Sequence, residues 1–231
     1  TYVDFSPDST LLAAGGFDGH VRLYREGEQA PAVTLPHHGA RVRIAHFSPD
    51  GRWLFTADDR GLTRAWPLTD GLPAERPAHA LQGPTALVSG LDVRPDGSEL
   101  VASYNAGEAL IWDLEAGTLR DRLVVQGIGL VRFTPDGQRL VSSGLSGAVK
   151  IWHADTLALL SARSLGSAAS ALPRFSPDGV LLLTYDTSDL VALDLEVEPP
   201  ALEPHADSVT AVDFSPDGRL LLSAGGAGAV K

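Results

Sequence analysis

The chain has 231 residues, and 44% of them are hydrophobic, which suffices for one all-β domain with a buried core and argues against an intrinsically disordered chain. Its formal net charge of −11 argues against binding to the phosphate backbone of a nucleic acid or to an anionic membrane surface. The absence of cysteine excludes disulfides, thiolate metal sites and cysteine nucleophiles, and no apolar run is long enough to span a bilayer.

A short motif recurs along the whole chain. The string FSPD or a close variant begins at Phe5, Phe47, Val93, Phe133, Phe175 and Phe214. The steps between these anchor residues are 42, 46, 40, 42 and 39 residues. An aromatic residue follows 19 positions after each of the first four anchors, at Tyr24, Trp66, Trp112 and Trp152. Two motifs at a fixed spacing predict a repeat protein with units near 1–37, 38–83, 84–123, 124–165, 166–204 and 205–231, the first and last incomplete.

The second repeat shows the predicted elements in chain order. Arg41 to Phe47 is a β-rich run, and the SPDG string that follows has the residues of a tight turn. Trp53 to Ala57 predicts a second strand, and a turn containing Gly61 leads into a third strand from Leu62 to Leu68. The proline-rich segment that follows cannot form a helix, and we expect an extended or irregular surface connection or a partner-contacting loop.

Several predicted strands are apolar on both faces. Leu181 to Leu183 and Leu220 to Leu222 are uninterrupted leucine runs, whereas a strand exposed on one side would alternate. Sheets buried on both faces, with hairpins at a period near forty residues, predict radially packed blades.

These residues resemble the WD-repeat β-propeller family. The strongest units are HGARVRIAHFSPDGRWLFTADDRGLTRAW, from His38 to Trp66, and HADSVTAVDFSPDGRLLLSAGGAGAVK, from His205 to Lys231. The family's namesake dipeptide is present at Trp112-Asp113. The resemblance implies one all-β propeller over residues 1–231, built of four-stranded antiparallel blades. With six repeats present, we expect part of a seven-bladed ring within a longer chain.

The family's in-blade hydrogen-bond network is incomplete in the sequence. In the family, a His, a Ser or Thr, an Asp and a Trp share this network. Only His38 and His205 occupy the His position, nine residues before the anchor. Only Asp18 occupies the Asp position, six residues before the aromatic landmark. We therefore expect no unit to hold the full set, and we expect apolar packing to hold most blades together.

No motif predicts catalysis, a cofactor or a metal site. The glycine-rich strings at Gly15 to Gly19 and Gly225 to Ala229 do not open helices, so they lack the geometry of phosphate-binding loops. The histidines do not form a metal-ligand pattern. The turn aspartates at the recurring motif are explained by turn chemistry, and they are Asp8, Asp50, Asp96, Asp136, Asp178 and Asp217.

The resemblance implies a partner-binding face. In the family, the turns between the second and third strands of each blade, together with the starts of the inner strands, often contact partners. The candidates carried over onto this sequence are Arg41, Asp59, Tyr104, Asn105, Tyr185 and Asp186. Tyrosine and arginine are typical interface residues. The alternative is that these are ordinary exposed loop residues.

The function predicted is a scaffold or sensor module that binds proteins or peptides, within a larger signalling protein that has an effector domain elsewhere in its chain. We expect this segment not to be an enzyme, and we expect a cytoplasmic location. The acidic charge would steer it toward a basic partner surface, and its arginine-rich composition is typical of high-GC bacteria. The alternatives are a hydrolase or lyase with a site at the channel mouth, disfavoured by apolar inner strands, and a self-assembling or structural spacer.

Overall fold

The computed structural model of the chain describes residues 3–124, 129–144, 148–164, 174–176, 181–185, 190–194, 209–215, 220–225 and 230. Every regular element within these ranges is a β-strand, and the paired strands are antiparallel. The chain divides into two compact units, Thr1–Arg132 and Phe133–Lys231. The predicted all-β fold class is confirmed over the described residues.

The first sheet has four strands in sequential order, β1 (Val3–Phe5), β2 (Leu11–Gly15), β3 (Val21–Arg25) and β4 (Val33–Thr34). Buried and half-buried residues alternate along β2. This period of two places one face of the strand in the core.

The second sheet contains β5 (Val42–Phe47), β6 (Trp53–Asp58), β7 (Leu62–Thr69), β8 (Leu72–Pro73) and β9 (His79–Gln82). Its order is β5-β6-β7-β8, and β9 pairs with the first half of β7 while β8 pairs with its last residues. The proline-rich connection is therefore extended, as predicted, and two short strands interrupt it.

The third sheet has the order β10 (Val88–Val93), β11 (Glu99–Tyr104), β12 (Glu108–Asp113) and β13 (Thr118–Val124). Every residue of β11 is buried. A strand buried on both faces lies between two packed layers, which is the arrangement predicted for a blade.

The fourth sheet has the order β14 (Gly129–Phe133), β15 (Arg139–Gly144), β16 (Ala148–His153) and β17 (Leu159–Ser164). Four-stranded antiparallel blades are therefore confirmed in the first, third and fourth sheets. The second sheet has the same plan with its outer strand divided in two.

Two further sheets follow along the chain. One has the order β18 (Arg174–Phe175), β19 (Leu181–Tyr185) and β20 (Leu190–Asp194), and the other pairs β21 (Val209–Phe214) with β22 (Leu221–Gly225).

The leucine run that begins just before β22 was expected to be buried, but two of its three side chains are exposed. Leu220 is 71% exposed and Leu222 is 55% exposed, so the prediction of burial on both faces is wrong for this strand. The described part of this sheet contains only two strands. The leucines Leu181 to Leu183 lie in β19, and their side chains are outside the described residues.

The turns between the first and second strands of the blades obey the predicted chemistry. The carboxylate of Asp50 accepts a hydrogen bond from the Ser48 hydroxyl at 2.5 Å and from the Arg52 amide at 3.0 Å. Asp136 accepts the same pair of bonds from Thr134 and Gln138. The structural role of the turn aspartate is therefore confirmed at these sites, while Asp178 and Asp217 lie outside the described residues.

The core of the first unit lies between successive sheets. Leu54 of β6 packs with Leu23 of β3 and with Leu35, which follows β4. The next residue, Phe55, packs with Leu100 of the third sheet. Successive side chains of a strand point to opposite faces, so β6 contributes to the cores on both sides of its sheet.

Candidate partner-binding surface

A buried hydrogen-bond network fixes the end of β6, where several candidate residues lie. The Trp66 indole N–H donates to Thr56 Oγ1 at 2.9 Å. His38 Nε2 lies 2.7 Å from the same hydroxyl oxygen. His38 Nδ1 lies 3.5 Å from Asp58 Oδ2. All four side chains are buried, so the network links two strands, β6 and β7, with the loop that precedes β5 in the interior of one blade.

The donors in this network determine where its protons lie. An indole nitrogen only donates, so the Thr56 oxygen accepts from Trp66. The Asp58 carboxylate favours the His38 hydrogen on Nδ1, so the Thr56 hydroxyl donates to His38 Nε2. A neutral His38 then carries its hydrogen on Nδ1, which faces the Asp58 carboxylate. The two hydrogen bonds therefore run from the indole through the hydroxyl to the imidazole, whose Nδ1 faces the carboxylate at 3.5 Å.

Burial and hydrogen bonding set the charges of the two titratable groups. Burial lowers the pKa of His38 more than its contacts with Asp58 raise it, so the imidazole is neutral near pH 7. Burial alone would raise the pKa of Asp58, but the hydrogen bonds from His38 and from the Arg60 and Leu62 amides together outweigh it and lower that pKa. The network thus holds a neutral imidazole beside an ionised carboxylate.

The expectation that no repeat holds the full network is wrong for the second blade. The family spacing places the Asp six residues before the tryptophan, and Arg60 occupies that position in the second blade. The structure instead uses Asp58, the last residue of β6, whose Oδ1 also accepts the amides of Arg60 and Leu62. The carboxylate reaches the network from the strand end instead of the turn, and it closes the turn as well.

Among the described residues, the third and fourth sheets hold at most part of the network. The Trp152 indole donates to Ser142 Oγ at 3.0 Å in the fourth sheet. The buried Trp112 indole nitrogen in the third sheet has no hydrogen-bond partner among the described residues. The expectation that apolar packing dominates applies to these two blades.

Arg41, the first candidate, immediately precedes β5 and stacks on an aromatic ring of the first sheet. Its guanidinium carbon lies 3.4 Å from the centroid of the Phe17 ring, within the range of a cation–π contact. Backbone bonds hold the two segments together, from the His38 amide to Gly19 O at 2.9 Å and from the Val42 amide to Gly16 O at 3.1 Å. The ring of Phe17 is nevertheless 64% exposed.

Asp59, the second candidate, lies beside this contact. Its amide donates to Arg41 O at 3.1 Å, and Arg43 Nε lies 3.7 Å from its Oδ1, which is too long for a hydrogen bond. Arg60 follows in the same turn and is exposed. We call Phe17, Arg41, Arg43, Asp59 and Arg60 the Phe17/Arg41 surface.

Tyr104 is fully buried and belongs to the core, so we remove it from the candidate surface. It lies eleven residues after the anchor Val93, as Asp58 lies eleven residues after the anchor Phe47. Its hydroxyl packs against Gly83, where no side chain intervenes, and burial raises its pKa well above the usual value. Tyr104 therefore fills in the third blade the place that Asp58 has in the second.

Asn105, the third surface candidate, is exposed and fixes the start of an inner strand. Its amide donates to Leu87 O at 2.9 Å, and its Oδ1 accepts the Leu87 amide at 3.0 Å. Asn105 lies in a different blade from the Phe17/Arg41 surface. The remaining candidates are Tyr185, the last residue of β19, whose side chain is outside the described residues, and Asp186, which is wholly outside them.

Sequence reasoning did not choose Phe17 or Arg43 as candidates. Phe17 lies in a turn rich in glycine and aspartate, where an aromatic side chain has no core to enter. An aromatic side chain in such a polar turn is therefore a sequence signal for an exposed binding residue. The resemblance places the turn that carries Phe17 and the strand start that carries Arg41 on the same face, but no spacing predicts the contact between the ring and the guanidinium, which belong to different repeats.

The family described as "WD domain, G-beta repeat" matches residues 1–25, 29–66, 126–153 and 199–231, which together make up more than half of the chain. The chain belongs to this WD-repeat family. The family predicted from the sequence is therefore confirmed.

Two curated relatives of the WD-repeat chain carry related names. The target of rapamycin complex subunit wat1 of Schizosaccharomyces pombe is 28% identical over 64% of this chain and 47% of its own length. The target of rapamycin complex subunit LST8 of Bos taurus is 25% identical over 79% of this chain and 58% of its own length. The WD-repeat chain thus spans about half of the length of these relatives.

A solved structure supports the propeller fold of the WD-repeat chain. A chain in the crystal structure of the mitotic checkpoint complex superposes with a TM-score of 0.79 at 24% identity, over 99% of this chain and 72% of that one. At this level of identity, the likeness concerns the fold.

The described part of the WD-repeat chain has neither a cluster of metal-ligating side chains nor a helix suited to span a membrane. Within it, no three His, Asp or Glu side chains group closely enough to hold a metal ion. Within the same residues, no helix has the length and apolar character needed to cross a membrane.

Proposed function

We propose that this WD-repeat chain is a scaffold module that binds a protein partner through the Phe17/Arg41 surface. The observation that carries the proposal is the pairing of a largely exposed aromatic ring with an arginine stacked on it. Aromatic and arginine side chains contribute most to the affinity of many protein interfaces. An exposed phenylalanine gains favourable free energy when a partner covers it.

The geometry of the surface suits binding because its parts are already ordered. The turn carrying Phe17 is bonded to the segment entering β5, and the turn carrying Asp59 is bonded to Arg41 O. A surface held in place before binding loses little conformational entropy when a partner docks. The names of the curated relatives, which describe subunits of a complex, support the same role.

The proposal is tested by crosslinking and mass spectrometry of partners captured by the chain from its native lysate. A double variant, Phe17→Ser with Arg41→Gln, should lose partners that the wild-type chain retains. The matched control is Leu119→Ser with Arg25→Gln, which replaces an exposed apolar side chain by serine and an exposed arginine by glutamine outside the surface. An identical set of partners for wild type and double variant would contradict the proposal.

Other parts of the predicted function stay predictions from the sequence. These are the signalling role, the absence of catalysis, the effector domain in the same parent chain, the bacterial source and the cytoplasmic location.

A further inference from the structure

One hydrogen-bond donor of Arg41 is buried without an acceptor. Its Nε is shielded from solvent and has no hydrogen-bond partner among the described residues, and its guanidinium carbon lies 3.4 Å from the centroid of the Phe17 ring. A ring face attracts the positive charge but leaves the N–H edge of the guanidinium unpaired. Buried donors of this kind are normally satisfied.

Two other arginines of the first unit differ from Arg41 in this respect. Arg22 donates to both oxygens of Asp18, at 2.6 and 3.3 Å. Arg64 donates to the carbonyl oxygens of Pro36 and His37, both at 3.1 Å. Arg132 Nε is likewise buried without a hydrogen-bond partner among the described residues, so what distinguishes Arg41 is the exposed Phe17 ring on which its guanidinium lies.

The charge of the Phe17/Arg41 surface is opposite to that of the chain. The chain has a net charge of −11. The surface has three arginines, Arg41, Arg43 and Arg60, and one carboxylate, Asp59. Asp18 pairs with Arg22, and the buried Asp58 carboxylate offsets one further positive charge, so the arginines of the surface still outnumber the carboxylates around it. The local excess of positive charge favours an anionic group on the partner.

The surface also contains an acceptor without a donor. Asp59 Oδ1 is buried and has no hydrogen-bond partner among the described residues, and Arg43 Nε is 3.7 Å away. A bare phosphate offers acceptors for Arg41 but no donor for Asp59 at neutral pH. A peptide with an acidic side chain offers a carboxylate to the terminal N–H groups of the Arg41 guanidinium, and its backbone N–H can reach Asp59 at Oδ2, because Oδ1 is buried.

We infer that the Phe17/Arg41 surface binds an aspartate or glutamate side chain of its protein partner, with the partner carboxylate on the edge of the Arg41 guanidinium. This inference rests on the proposed function and specifies the chemistry of the partner. An apolar residue next to the acidic one covers the exposed Phe17 ring. The overall negative charge of the chain steers basic partners toward it, but this surface selects an acidic segment.

The experiment selects short peptides from a random displayed library on the immobilised whole chain, then measures their affinities by fluorescence anisotropy. Selected peptides should contain an acidic residue, and its replacement by the corresponding amide should weaken binding by about tenfold or more, the loss expected for a charge-assisted hydrogen bond. Arg41→Gln should cause a similar loss, and Arg41→Lys a smaller one, because lysine keeps the charge without the planar fork. Arg25→Gln is the control of equal charge change.

The outcomes separate this inference from the proposed function. Peptides that lose affinity on Phe17→Ser but not on replacement of their acidic residues would overturn the inference and leave the proposed function intact. Selection of no peptide, or only of peptides insensitive to changes at Phe17 and Arg41, would overturn both. Thermal unfolding of each variant shows that it is folded, which we expect because Phe17 is largely exposed.

Discussion

Replacement of Thr56 by valine tests the buried network of the second blade. Valine has nearly the same shape but lacks the oxygen that accepts from Trp66 Nε1 and contacts His38 Nε2. Both nitrogens would lose their partner in a site with no access to water. An unpaired buried polar group costs about 1–3 kcal/mol, so two such groups should lower the free energy of unfolding of the first unit by about 3 kcal/mol.

The assay is urea unfolding followed by tryptophan fluorescence and circular dichroism, with Thr56→Ser as the control. Serine keeps the hydroxyl and loses a methyl group, so its loss should be about 1 kcal/mol. The decisive quantity is the order of the two variants. If serine destabilised the chain more than valine, methyl packing and not hydrogen bonding would explain the buried Thr56, and the assignment of the network would be refuted.

Two further predictions use the same blade. Burial lowers the pKa of His38 in the folded state, while the unfolded imidazole has a pKa of about 6.5. Protons therefore bind the unfolded state more readily, and stability should fall as the pH drops below about 6.5. Thermal unfolding between pH 7 and 5 should show a smaller decline for His38→Gln than for the wild type, and an equal decline would contradict this. Gly61 has φ +84°, and a Cβ there would collide with the carbonyl oxygen of Pro84. Gly61→Ala should lower the free energy of unfolding by about 3 kcal/mol. Gly51→Ala, with φ +69° and open space around it, should lower it by about 1 kcal/mol. Similar losses in urea unfolding would mean that the collision with Pro84 is relieved.

The parts of the fold that depend on residues close together in the sequence were predictable. The turn after β5 places the Ser48 hydroxyl, the Asp50 carboxylate and the left-handed Gly51 within four residues, so its structure follows from local chemistry. Repetition of the turn at a nearly fixed interval then predicted the blades. The unit boundaries themselves stay a prediction.

The candidate surface was less predictable because its contacts join different repeats. Arg41 and Phe17 are 24 positions apart, and no periodic pattern reports which ring a guanidinium will cover. Tyr104 lies as many residues after the anchor of its repeat as Asp58 does. Whether its ring points into the core, however, depends on the space beside Gly83. The carboxylate of Asp58 joined the network from a position that the family spacing did not include.

The backbone bonds from His38 to Gly19 and from Val42 to Gly16 have a consequence for recombination experiments. A crossover placed at residue 37 or 38 would leave every sequence motif intact. The inserted repeat would, however, face a loop other than the one whose Gly16 and Gly19 carbonyl oxygens accept the amides at positions 42 and 38. Grafted modules therefore need residues 16–19 of the upstream neighbour to travel with them. The segment that can be exchanged between repeats therefore begins upstream of the repeat boundary that the sequence motifs indicate.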